Sequence, residues 1–524
     1  MSRLTLPRSP PRTMAIAFYV LLVVTRAQWA PTEAANILAV QSFSGKSHWN
    51  MMSGVLRALT DRGHNVTVFT PFVDGDRKNY AEVDMSRELK PLISVNIKLI
   101  YNVVRNPAVF LSNLINRTRS DCNAIYGHPR MTDILTAASP SDFDAVVTTV
   151  MGTECTAYVA TVLRVPVIYL VPMPIITFLE RTLFGHVPNP ATVPHLYSGH
   201  GVPKTFADRF VNTALTVYYS CVSWYVERKL ALSDPRPYDR IDLVKPSITF
   251  TNTHFITEPS RPLPPDVVQI GGIHLVPPKE IPKDVLEFIE DSPYGVIYFS
   301  FGSIVSMASL PENLQTAFRE TFRKIPQRVL WKYEGEMKDK PRNVMTKKWF
   351  PQRDILLHPN VILFINHGGI SGVYETVDAG VPVLGFPMFN DQSRNIRVLA
   401  DAGMAISADL FSVTNDTFLN AVSELVNNES YRNSARVASE LFKDRPASPA
   451  ESVVYWTEYV LRHKGAPHLK SRAIDLPWYQ YFLVDVVGTL WLIMLVVAGI
   501  AFYGLRIINA YTFARFRGRK PKTE

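Results

Sequence analysis

An unbroken run of 20 uncharged residues, Val486 to Leu505, constrains this chain more than any other feature. As a helix it would measure roughly 30 Å, at about 1.5 Å per residue, which is the thickness of a bilayer's hydrocarbon core. A transmembrane helix is therefore expected over residues 484–505. Trp478, Tyr479 and Tyr481 precede the run, where an aromatic belt would lie, and Arg506 and a basic tail follow it. The positive-inside rule then puts residues 506–524 in the cytoplasm and everything before them across the membrane. At the other end, Met14 to Val24 is a shorter uncharged run with arginines before it and alanines after it. That pattern reads as a signal peptide over residues 1–35, with the cleavage point approximate. Both ends give the same topology, a single-pass type I protein with its body outside the cytoplasm.

The net charge of +9 would ordinarily suggest a nucleic-acid partner. Its distribution excludes that. Residues 1–35 hold four arginines against Glu33, and residues 506–524 hold six basic residues against Glu524, so the remaining body is close to neutral. The last five residues, Lys520-Pro-Lys522-Thr-Glu524, resemble a KxKxx retrieval signal. The resemblance implies the coat-protein retrieval machinery as a partner and the endoplasmic reticulum membrane as the location. Asn65, Asn116, Asn415 and Asn428 open N-x-S/T glycosylation sites, although Asn65 also opens an expected strand, which argues against access. Cys122, Cys155 and Cys221 are too few for a disulfide framework and match no metal spacing; buried thiols, or at most one bridge, are expected.

The body alternates strand-like and helix-like segments, the pattern of parallel sheets built from βαβ units. Strands are expected at 36–40, 66–69, 145–149 and 167–171. After Glu258-Pro-Ser-Arg-Pro-Leu-Pro-Pro-Asp266 they resume at 295–301, 328–332, 361–365 and 381–385. Helices are expected at 48–62 and about 311–323. Residues 172–205, rich in Pro, Gly and His, read as a substrate-side excursion. The domains are thus 36–257 and 271–475, with a Pro-rich linker at 258–270. Ligands would bind between them, at the C-terminal ends of the strands.

The densest motif runs from Trp349-Phe-Pro-Gln352 through Asn366-His367-Gly368-Gly369-Ile-Ser371 and Glu375 to Asn390-Asp391-Gln392. Asn366 to Gly369 would turn a buried strand into a helix, whose first N–H groups make an anion site suited to a diphosphate. His-Gly-Gly alone is a weak signal, but the flanks strengthen it. Together the segments resemble the signature of the UDP-glycosyltransferases, the animal membrane-bound glucosyl and glucuronosyl transferases, in their invertebrate branch.

That resemblance implies an α/β GT-B fold: two Rossmann-like domains facing a cleft, plus the C-terminal transmembrane helix. The first domain would bind the acceptor and the second the UDP-sugar. It implies that Trp349 stacks on uracil and Gln352 bonds the uracil or ribose. Ser303, Asn366, His367, Gly369 and Ser371 would hold the phosphates, Glu375 the ribose hydroxyls, and Asp391 and Gln392 the sugar. Asn366 stands where relatives often have Thr. No cofactor and no metal is expected; Asp142-Phe-Asp144 and Asp74-Gly-Asp76 read as incidental DxD matches. The implied partners are a UDP-sugar and a small lipophilic acceptor, with a homo- or hetero-oligomer left open.

Phe43-Ser-Gly-Lys-Ser47-His48-Trp49 resembles the loop bearing the family's catalytic histidine, which makes His48 the expected general base. The family's acidic partner falls here on Thr149, so the carboxylate is missing. Glu154 is the one nearby substitute. The expected activity is inverting transfer of a hexose, glucose before glucuronate, to an acceptor hydroxyl. Arg261 is the candidate cation for a glucuronate carboxylate. The alternative, resting on Thr149, is a weakly active or non-catalytic binder of UDP-sugar and lipophile.

Overall fold

The computed structural model describes residues 34–104, 106–137, 142–174, 176–198 and 201–517. The expected signal peptide and the KxKxx end lie outside the described residues, save for Ala34 and Ala35.

Seven strands form the first sheet: β1 (Asn36–Val40), β2 (Asn65–Thr70), β3 (Tyr80–Asp84), β4 (Ala145–Thr149), β5 (Val167–Val171), β6 (Ile248–Thr251) and β7 (Val267–Gln269). Their spatial order is β3-β2-β1-β4-β5-β6-β7. The second sheet holds β8 (Val296–Ser300), β9 (Arg328–Lys332), β10 (Val344–Lys347), β11 (Val361–Asn366), β12 (Val383–Gly385) and β13 (Ala405–Ser407). Its order is β10-β9-β8-β11-β12-β13. Every pairing is parallel. Each order reverses direction beside its first strand, and ligands collect outside the strand ends at such a switch point.

The helices that matter below are α1 (Lys46–Arg62), α2 (Pro107–Tyr126), α3 (Phe206–Ser233), α4 (Ile370–Ala379), α5 (Gln392–Asp401), α6 (Pro449–Arg462) and α7 (Val484–Arg517). In α1, Trp49, Met52, Val55, Leu56 and Leu59 recur at helical spacing and join the first sheet's core. Gly63 ends the helix at φ 107°, its N–H returning to the carbonyls of Leu59 and Thr60. Ser448 and Glu451 form a capping box that starts α6, with Pro449 in its first turn.

Helix α6 belongs spatially to the first half, although it lies near the chain's end. It packs on α1, and its Val453 and Val460 are part of the first sheet's core. Arg62 Nε donates to Glu458 Oε1 across this contact at 2.8 Å. The boundaries read from sequence change accordingly. The 258–270 linker contains β7, paired in parallel to β6, because its prolines leave an extended chain that can add to a sheet edge. Both charged groups of the linker's start are buried in ion pairs, Glu258 with Arg394 of α5 and Arg261 with Glu180.

A second stretch also joins the halves. Leu92 N donates to Ser44 O in the loop after β1 (2.9 Å), and Ser94 N donates to Ser303 O in the loop after β8 (2.9 Å). Ser306 N then donates to Val95 O (3.0 Å), and Ile97 enters the second sheet's core.

Helix α7 has no buried residue and is long and apolar enough to cross a membrane. It continues past Leu505 to Arg517, so the start of the expected tail is helical. Cys122 and Cys155 form one bridge, the second of the two expectations, and Cys221 is an exposed thiol. Asn65 is exposed despite opening β2.

Candidate active site

A cleft lies between the two sheets, at the C-terminal ends of their strands. Its lining includes His48 and all ten residues expected to hold the donor: Ser303, Trp349, Gln352, Asn366, His367, Gly369, Ser371, Glu375, Asp391 and Gln392.

On the second half, the β8 loop and the β11–α4 turn are built around one imidazole. A Cβ on Gly302 would lie 2.7 Å from the His367 ring, and one on Gly369 would lie 2.6 Å from it. Only glycine permits that approach, and Gly302 also adopts φ 74°. Burial, and then the Lys332 charge, lower the His367 pKa to about 4. The ring is neutral at pH 7, and its Nδ1 has no partner among the described residues. Asn366 Oδ1 accepts from Gly368 N (2.8 Å) and so closes the turn, while its buried Nδ2 is left unpaired. The Ser371 hydroxyl, in the first turn of α4, is also unpaired. Unmade donors and a helix N-terminus thus converge on one space, which suits an anion.

Trp349 is 63% exposed, so a ring face is open for stacking. Gln352 Nε2 donates to Glu375 Oε2. Burial pushes the Glu375 carboxyl up to about 7. Asp391, raised by burial to about 6, accepts from Asn395 Nδ2 at 2.7 Å. Gln392 Oε1 accepts from the N–H groups of Met388 (2.9 Å) and Phe389 (3.1 Å), which braces the loop that carries Asp391.

On the first half, His48 stands in the first turn of α1 with its ring 4.5 Å from that of Phe43. Burial lowers its pKa to about 4, and its Nδ1 has no partner among the described residues. Thr149 is fully buried at the end of β4, its hydroxyl 3.5 Å from that of Ser42. Glu154 is not available as a substitute: it accepts from Lys245 Nζ (3.0 Å) and Tyr169 Oη (3.2 Å), outside the cleft lining. Arg261 is likewise committed, donating to both Glu180 oxygens (2.8 and 3.1 Å) away from the cleft. It is thus removed as a partner for a sugar carboxylate.

The sequence reading missed Lys332. It ends β9, lines the cleft and pairs with Glu334. A lysine closing a strand of a parallel sheet faces the ligand edge, and that position was the available signal. Also missed was a smaller apolar cavity adjoining the cleft, lined by Leu111, Leu114, Phe178, Leu196 and Tyr197. Met151, Met173 and Asn390 line both spaces. Several of its residues come from the 172–205 excursion, which does lie on the cleft side.

Two parallel α/β sheets meeting over such a cleft make the architecture of the GT-B fold. Solved structures agree: the calicheamicin glycosyltransferase CalG4 superposes with a TM-score of 0.53 over 82% of this chain and 99% of its own, at 17% identity. The glycosyltransferase VinC, in complex with DTDP, gives 0.52 over 81% and 100%, at 15% identity.

Sequence comparison narrows the class. Residues 37–522 match the family described as "UDP-glucoronosyl and UDP-glucosyl transferase". The chain is 36% identical to UDP-glucosyltransferase 2 of Dactylopius coccus, over 91% of this chain and 92% of the relative. It is 31% identical to UDP-glucuronosyltransferase 1A1 of Homo sapiens, with the same two coverages. The chain belongs to the UDP-glycosyltransferase family.

Proposed function

We propose that this enzyme transfers a hexose, glucose before glucuronate, from a UDP-sugar to a hydroxyl of a small lipophilic acceptor with inversion. The observation that carries this reading is the convergence of His48 and the ten donor-side residues on one cleft. Trp349 stacks on the uracil, with Gln352 beside it, and Glu375 takes the ribose hydroxyls. Ser303, Asn366, His367, Gly369, Ser371 and the start of α4 hold the diphosphate, with Lys332 facing it. Asp391 and Gln392 hold the sugar. His48 takes the acceptor proton while the oxygen attacks the anomeric carbon from the face opposite UDP. The neutral diphosphate-binding donors stabilise the departing charge, so the reaction as drawn requires no metal.

Glucose is favoured because Arg261 is tied to Glu180. Placement of the body in the lumen of the endoplasmic reticulum draws support from the Cys122–Cys155 bridge, which belongs to an oxidising compartment. The second reading, a weakly active binder, draws on the unpartnered His48 Nδ1. One experiment tests both: UDP release by the purified full chain over an acceptor panel, with UDP-glucose and UDP-glucuronate in parallel. Turnover lost in His48→Ala supports the transferase. Donor binding without turnover across the panel supports the binder.

A further inference from the structure

Helix α3 has two apolar faces. The inner one presents Leu215, Tyr219, Val222 and Val226 to Phe178 and Leu196, which also wall the apolar cavity. The outer one carries Phe206, Phe210 and Trp224, which are 74, 64 and 68% exposed, together with Val217, Tyr218, Tyr225 and Leu232. Bodies that live wholly in water seldom leave so long an apolar stripe uncovered.

Acids stand at both ends of α3, Asp208 in its first turn and Asp234 at its cap, but along the stripe between them the exposed charges have one sign. From Arg209 to Ser233 the exposed ionic groups are Arg209, Arg228 and Lys229. Glu227, the one acid in that stretch, is half-buried, and burial raises its carboxyl to about 7. Exposed aromatic rings beside basic side chains suit the boundary between lipid headgroups and acyl chains.

The position of α3 fits as well. Asn212 Nδ2 donates to Pro190 O and Val193 O (both 2.7 Å), which holds the helix to the excursion. Val187, three residues before Pro190, donates its N–H to Tyr481 Oη (2.9 Å), and Arg181 donates to Leu476 O (2.7 Å). Tyr481 is three residues ahead of α7. Three residues of chain span about 10 Å at most, so the first half of α3 is tied close to the point where α7 begins.

We propose that the outer face of α3 lies on the bilayer that α7 enters, with its aromatic side chains among the headgroups. Its arginines and lysine would then meet the phosphates of anionic phospholipid. The body would touch the membrane at two places rather than hang from one helix. One consequence rests on the proposed reaction. A lipophilic acceptor leaving the bilayer would have only the width of α3 between it and the apolar cavity.

Cys221 lies on the outer face and is the free thiol beside the Cys122–Cys155 bridge. A nitroxide on Cys221 of the full chain, one copy per phosphatidylcholine–phosphatidylserine nanodisc, reports what covers it. The comparison site is Lys283→Cys in a Cys221→Ser chain, because Lys283 stands in solvent on the second half. Oxygen collides with nitroxides in lipid and a water-soluble nickel chelate with those in water. The oxygen-to-nickel collision ratio at Cys221 is expected to be several-fold above that at Lys283→Cys. Phe210→Glu with Trp224→Glu should bring it down to the comparison value without moving the thermal midpoint, since both side chains are exposed. Equal ratios at the two sites in the unsubstituted helix overturn the proposal. So does a low ratio together with spin–spin broadening at two copies per disc, which assigns the face to a second copy. A ratio indifferent to phosphatidylserine overturns the anionic-lipid contact.

Discussion

At the residue scale, the proposed chemistry depends on imidazoles kept neutral by burial. Burial lowers the His48 pKa to about 4, so as the proposed base it is largely unprotonated from about pH 5 upward. The turnover number is therefore expected to show no loss from His48 protonation between pH 8 and pH 5. Donor affinity should behave differently. Glu375, raised to about 7, and Asp391, raised to about 6, lose their negative charge as pH falls through those values, and a neutral carboxyl accepts hydroxyl hydrogen bonds less well. KM for the UDP-sugar should rise below pH 7 while the turnover number holds, which a pH series of initial rates will show. His48→Ala should lower the turnover number by about 10²–10⁴-fold, the usual contribution of a positioned base, with little change in UDP affinity measured by calorimetry. Thr149 touches Ser42, and nothing among the described residues bonds His48 Nδ1. A rate increase in Thr149→Asp would show that the base works below its capacity for want of a carboxylate.

At the element scale, the two loops around His367 tolerate no added atom. Gly302→Ala puts a Cβ into the ring and forces a left-handed φ, which costs roughly 1–2 kcal/mol before the clash is counted. Gly369→Ala meets the same ring without the backbone cost. Both should lose UDP binding by calorimetry, and Gly302→Ala should also lower the unfolding midpoint more. Much of this was legible in the sequence. Strands β1, β4, β5 and β9 fall at the residues expected, because each is a short apolar run buried on both faces of a parallel sheet. That Trp349 to Gln392 would gather on one cleft was legible from the resemblance to a family signature, and only its Asn366–Ser371 part is a single strand–turn–helix unit. Helix α3 was not seen. Apolar residues occupy its outer face as well as its inner one, so no single-sided period marks it. Strand β7 was hidden by the prolines around it. Lys332 closes an expected strand, which marks it for the ligand edge, but its nearness to His367 needed the strand order, and the partners of Arg261 and Glu154 lie elsewhere in the sequence.

At the scale of the whole molecule, the two halves are not separable beads. Helix α6 comes from the end of the body and fills the core of the first sheet. A fragment of residues 36–257 should accordingly lack cooperative unfolding by circular dichroism, and adding residues 449–470 should restore part of it. The buried pair Glu258–Arg394 ties the first half's last segment to α5. Arg394→Met leaves Glu258 buried without its partner and should cost about 3–5 kcal/mol in denaturant unfolding. Replacing both residues with apolar ones of similar size should cost much less.

The short stretch from Leu92 to Ile97 bears on how the enzyme empties. It is stitched to the loop beside His48 at one end and to the loop beside His367 at the other. With the 258–270 crossing, α6 and the Tyr374 hydrogen bond to Asn252 O, the halves are held together at several places. A cleft so tied would work as a slot rather than a jaw, with UDP leaving along it while the halves stay together. Turnover limited by product release would then respond to the fraying of six residues, and amide exchange at Ser94 and Val95 would keep time with it.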